Sequence, residues 1–153
     1  MTTPVFEDSL QSSTTSSCEM AVGTGDINDP RNESYKNVLG TTLQLFSRQP
    51  LTGFNRDGFC RVTAGDFGNH SVAGVVSEEF LDFTASRGND LRVVGLSEGC
   101  KWCLCASRWK EALDAFRAGR ISRNGVPKVR LESTDQSALR TISLQDLEEF
   151  RTN

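Results

Sequence analysis

The chain has 153 residues, a length that predicts about one domain. Its 17 Lys and Arg against 20 Asp and Glu give a net charge of -3, too balanced for a protein whose main work is holding nucleic-acid phosphates. Hydrophobic residues are only 37%, which implies an unfolded portion diluting an ordinary core, and no apolar run approaches the about 18 residues of a transmembrane helix.

Charge is unevenly placed. Residues 1–36 hold six acids (Glu7, Asp8, Glu19, Asp26, Asp29, Glu33) and two bases (Arg31, Lys36), a net of -4, which leaves +1 for residues 37–153. The same segment has eleven Ser or Thr and two aromatics, Phe6 and Tyr35. Such composition buries too little apolar surface to offset chain entropy, so a flexible acidic arm is expected, free or docked on a partner. It has no basic start or apolar central run, so it is not read as a signal peptide, and it is too acidic for a transit peptide. It is compatible with the start of a mature chain.

An ordered domain is expected over 37–153, opening at Asn37-Val38-Leu39-Gly40. Pro50 to Gly58 reads as an irregular loop, and Phe59 to Val62 as a short strand. After a second loop, Ala64 to Asn69, the segment His70 to Val76 reads as a strand rich in small and β-branched residues. Ser77 is a helix N-cap, followed by Glu78 and Glu79 at the positive end of the dipole. Phe80 and Phe83 share one face, and Gly88 stops the helix near Arg87.

The strongest helical signal is Ser107 to Ala118, where Trp109, Ala112, Leu113 and Phe116 form one stripe before Gly119. Lys128 to Glu132 alternates as a half-buried strand. Ser143 and Asp146 resemble a capping box ahead of Leu144, Leu147 and Phe150. The sum is a small α+β domain, a mainly antiparallel sheet packed by two or three helices. No internal repeat is present.

The five cysteines, Cys18, Cys60, Cys100, Cys103 and Cys105, form an odd set. That suits an intracellular reducing compartment, cytoplasm or organelle, better than a secreted disulfide scaffold, and makes the sequons at Asn32 and Asn69 chance matches. Cys100, Cys103 and Cys105 stand directly before the best helix, where the dipole stabilises a thiolate at Cys105. If residues 102–105 are extended, Cys103 and Cys105 share a face.

Three readings follow: buried structural thiols filling space beside Trp102 and Trp109, a redox pair, or a metal site completed by Cys60 and His70. The Cys-x-Cys spacing is awkward for tetrahedral closure, so the expectation is no metal and no cofactor. His70 alone reads more simply as a hydrogen-bonded strand-end residue than as a ligand or base. Arg56, Asp57, Arg87, Asn89 and Asp90 lie in Gly-containing loops and either line a cleft or fix those loops. The basic stretch from Arg108 to Arg130 reads as a solvated helix face or a surface for an acidic partner; no aromatic stacking pattern favours nucleic acid. No phosphate-binding glycine fingerprint, nucleophile elbow or zincin helix is present.

The segments Asn37 to Gly40, Pro50 to Gly58, Glu79-Phe80-Leu81, Arg87 to Leu91 and Trp102 to Trp109 resemble the DUF2237 family, small proteins of unknown function in bacteria and some algae. The resemblance covers about residues 37–150 and implies a fold and a candidate site rather than a reaction. Its polar and thiol positions fall on Arg56, Asp57, Cys60, Asp66, His70, Arg87, Asn89, Asp90, Trp102, Cys103, Cys105, Arg108 and Trp109. The chain departs from the family pattern in having Phe46, Phe59 and a residue near Ala73 at positions where relatives often have Cys, and Asp135 where they often have His.

Lost thiols suit a copy recruited for binding. The first functional expectation is therefore a non-catalytic accessory subunit, docked on a larger protein assembly through its acidic arm and basic helix. A plastid stroma is one setting, and membrane association would come only through partners. The alternative is a small thiol-based redox protein or enzyme using Cys60, His70, Cys103 and Cys105, so whether the chain is an enzyme stays open at this stage.

Overall fold

The computed structural model describes residues 35–152. The segment expected as an acidic arm lies outside the described residues, apart from Tyr35 and Lys36. Three short strands, β1 (Val72–Val75), β2 (Lys101–Leu104) and β3 (Lys128–Val129), form an antiparallel sheet in the order β2-β1-β3. Three α-helices accompany it: α1 (Glu78–Ser86), α2 (Ala106–Arg117) and α3 (Leu144–Glu149). This is the α+β arrangement expected, with several 3-10 turns between the elements.

Strand alternation divides the interior in two. Ala73 sits opposite Cys103, and Val72 opposite Leu104. Val72, Trp102, Leu104 and Val129 join the main core with Phe80, Trp109, Leu113 and Leu147 from the helices. Ala73 and Cys103 belong to a smaller cluster with Phe46 and Cys60. Successive residues on a strand point to opposite faces, so β1 and β2 each serve both clusters.

The helices begin and end for local reasons. Ser77 Oγ accepts the Phe80 N–H at 3.0 Å, and Gly88 takes φ +87° just past α1. Ser143 Oγ accepts the Asp146 N–H at 3.1 Å to start α3. On α2, Trp109, Ala112 and Leu113 are fully buried, and Phe116 packs partly buried at the edge. Trp109 Nε1–H donates to the Pro127 carbonyl at 2.9 Å, so its one polar atom is satisfied inside the core. Burial of Leu113 alone is worth roughly 1.5–3 kcal/mol.

Two expected strands are corrected. Phe59 to Val62 makes only an isolated bridge, Cys60 with Thr134. The Phe59 N–H goes to Asp57 Oδ1 and the Val62 N–H to Asp135 Oδ2, so carboxylates take the donors that a ladder would use. Lys128 to Glu132 is a strand only at Lys128–Val129, because the chain turns into a 3-10 helix at Leu131–Ser133. The apparent alternation of Val129 and Leu131 therefore arises from two different elements, both buried.

Both outer strands find hydrogen-bond partners outside the sheet. On β2, the Cys103 N–H donates to Thr52 Oγ1 at 2.8 Å, from the irregular loop that the sequence predicted. On β3, the Val129 N–H donates to the Phe150 carbonyl at 2.9 Å.

Candidate active site

Cys105 closes β2 and is the N-cap of α2, with extended backbone at φ -61° and ψ 132°. Its carbonyl accepts the N–H groups of Arg108 at 3.0 Å and Trp109 at 3.1 Å. Its sulfur does no capping and stands at the positive end of a twelve-residue helix, where negative charge is favoured. Cys105 is a partly exposed free thiol.

His70 reaches this sulfur from the loop before β1. The neighbouring Cys105 sulfur, opposed by partial burial and reinforced by Asp66, raises the His70 pKa from 6.5 to about 9. The ring is thus an imidazolium at neutral pH. His70 Nδ1–H donates to Asp66 Oδ1 at 2.6 Å. The Asp66 side chain is fully shielded from solvent, and its Oδ2 also accepts the His70 backbone N–H at 3.0 Å. A carboxylate that holds both the ring and the backbone of one histidine fixes the tautomer and the orientation together.

The loop geometry makes this possible. Asn69 has φ +50°, a left-handed conformation that Asn tolerates better than most residues. Its carbonyl accepts the N–H of Ala106, the first residue of α2, at 3.0 Å. Its side chain accepts from Ser71 Oγ at 2.5 Å and donates to Ser137 Oγ at 3.1 Å. One residue thus ties the histidine loop to the cysteine helix. Gly68 forms the floor: a Cβ there would lie 2.8 Å from His70 Cε1 and 3.2 Å from Cys105 Sγ. Phe54 stacks on the imidazole with ring centroids 5.8 Å apart.

The other thiols are not free fillers. Cys60 and Cys103 form a disulfide with Cα atoms 5.2 Å apart. This corrects the reading of these two as reduced structural thiols. They also pack with Phe46 and Ala73, on the sheet face opposite Trp102, so the expected neighbourhood of Trp102 and Trp109 is corrected as well. Sulfurs bonded to one another are not thiolate donors, and among the described residues no group of three or more His, Cys, Asp or Glu is placed to hold a metal ion.

The remaining expected site residues fix structure locally. Arg56 donates from Nη1 to the Gly53 carbonyl at 2.6 Å and lies over the Trp102 ring. Asp57 pairs with Arg61 and accepts the Phe59 N–H. Arg87 and Arg108 share Glu111, Asn89 donates to Thr84 Oγ1, and Asp90 caps Leu91–Val94. In the basic stretch, Lys110 pairs with Asp114, while Arg117 and Arg123 meet Glu149 of α3.

Sequence reasoning placed His70 and Cys105 among the candidates, and missed Phe54, Gly68 and Asn69. It had Asp66 only through the family resemblance. An Asp four residues before a lone His, within a Gly-flanked turn, was the available signal.

Among the described residues no helix is long and apolar enough to cross a membrane. A search of curated proteins found no match. A family described as "Uncharacterized protein conserved in bacteria (DUF2237)" matches residues 36–151, nearly the whole described fold. The chain therefore belongs to the DUF2237 family.

Proposed function

We propose that the protein is a thiol-based redox enzyme in which Cys105 is the reacting sulfur and His70 carries its proton. Asp66 is a positioning residue that orients and stabilises the imidazolium. The observation that carries this reading is the grouping of Cys105, His70 and Asp66, built from one loop and a helix start and closed at a shielded carboxylate. An imidazolium against the sulfur stabilises thiolate, the nucleophilic form, and can return a proton to a leaving group. The disulfide on the neighbouring strand position favours redox chemistry over acyl transfer.

The test is the rate of iodoacetamide alkylation at Cys105, mapped by peptide mass, as a function of pH. His70→Gln should slow the reaction at pH 7 by about tenfold or more, within the usual range for losing an acid–base partner. Asp66→Asn should fall between the two. Equal rates and equal pH profiles in all three proteins would overturn the assignment.

A second reading, the accessory subunit, rests on a different observation. Phe67 is 98% exposed, and Val93 and Val94 are exposed on one 3-10 turn. Exposed apolar side chains of this kind suit coverage by a protein partner. Pairing of Arg117 and Arg123 within the chain leaves the basic face less free for an acidic surface. Co-purification of a defined complex whose assembly fails with Phe67→Ser would support this role; loss of the complex with Cys105→Ser alone would not.

A further inference from the structure

We propose that Cys105 is the gate through which the buried Cys60–Cys103 disulfide exchanges electrons with a dithiol in solution. The inference rests on the reading of Cys105 as the reacting sulfur and adds a partner class and a route.

Access comes first. Cys60 is 0% exposed and Cys103 1% exposed, so an external thiolate has no line of approach to either sulfur in the folded protein. Cys105 is partly exposed and free. Geometry comes second. Cys103 lies on β2 with its side chain on the face of Ala73 and Phe46, and the Cys105 backbone continues extended. Alternation therefore returns Cys105 to the face of Cys103. Two steps of strand rise separate their Cα atoms by about 6.6 Å. That is near the upper end of the roughly 4.4–6.8 Å a disulfide spans, so a transient Cys103–Cys105 bond needs little backbone movement.

The steps balance as follows. The Cys105 thiolate attacks the Cys103 sulfur, the Cys60–Cys103 bond breaks, and Cys60 leaves as a thiolate that takes up a proton. A solution dithiol then attacks the partly exposed Cys105 sulfur, and Cys103 leaves and is protonated. The second thiol of the reductant attacks the mixed disulfide, releasing Cys105 and an oxidised dithiol. Net, the protein disulfide gains two electrons and two protons, and the dithiol loses them. The reverse sequence oxidises a dithiol.

The experiment follows reduction of the folded oxidised protein by dithiothreitol. Cys60 becomes alkylatable in tryptic peptide 57–61, which carries no other cysteine. Cys105→Ser should slow appearance of the Cys60 thiol by about tenfold or more, with the Cys60–Cys103 disulfide retained. A Cys60→Ser variant treated with oxidised dithiothreitol should trap Cys103–Cys105 within peptide 102–108, seen as loss of two hydrogens. Equal reduction rates in the parent and Cys105→Ser, or no trapped bond in Cys60→Ser, would overturn the gate. Either failure leaves the His70-dependent alkylation of Cys105 intact; loss of that dependence would instead remove the underlying reading.

Discussion

The chain contains a single histidine, so its imidazole signals in a proton–nitrogen NMR titration report His70 alone. The wild-type midpoint should fall at about 9 instead of 6.5. Cys105 supplies the largest upward contribution and Asp66 the next, against desolvation of a ring whose side chain is 33% exposed. Cys105→Ser should therefore lower the midpoint most. Asp66→Asn should lower it less, by about one pH unit, since a charge-assisted hydrogen bond worth roughly 1.5–3 kcal/mol is replaced by a neutral one in a partly wet site.

The same displacement links to stability. From 6.5 to about 9 corresponds to at most about 3 kcal/mol, which solvent around the ring reduces to roughly 1–2 kcal/mol. The folded state holds the proton more tightly than the unfolded chain. This contribution is thus complete below pH 6.5 and is lost as pH rises through about 9. Denaturant midpoints from pH 6 to 10 should decline in the wild type and decline less in Cys105→Ser. A wild-type midpoint near 6.5, or one near 9 that neither substitution moves, would refute the assignment of the perturbation to these contacts.

Gly68→Ala should expel the His70 ring, because its Cβ meets Cε1 at 2.8 Å; alkylation of Cys105 at pH 7 should drop toward the His70→Gln rate, with a loss of about 1–2 kcal/mol of stability. Leu113→Ala, at a fully buried position of α2, should cost about 2–5 kcal/mol by urea unfolding. Thr52→Val keeps the shape but removes the acceptor of the Cys103 N–H, and should cost about 1–3 kcal/mol in the same assay.

Much of this fold is legible because its signals are local. The Ser77 cap, the Gly88 stop and the α2 stripe each depend on residues within a turn or two. The short strands are less legible, since β3 has two residues that pair with Gly74 and Val75, and its Val129 N–H donates to the Phe150 carbonyl, the strand partners being far away in sequence. The site is legible by residue type and not by partnership. Cys60 and Cys103 are 43 residues apart, and nothing between them encodes the pairing. His70 and Cys105 meet because Val72 pairs with Leu104 and Asn69 bonds to the first residue of α2. A lone histidine thus reads as a strand-end residue until the carboxylate four positions earlier is seen to turn back onto it.

The hydroxyl of Thr52 on the outer rim of β2 also bears on how copies of the chain behave when crowded together. An open rim of backbone donors is a template on which further strands add, the first step toward fibrils. Here Thr52, from the loop between Pro50 and Gly58, takes the Cys103 donor with a side chain instead of a strand, so that position offers no donor to a neighbouring copy. The rim it seals carries Cys103 and leads directly to Cys105. A loop that shields a half-disulfide from solvent also keeps the most reactive strand of the molecule from becoming its most adhesive one.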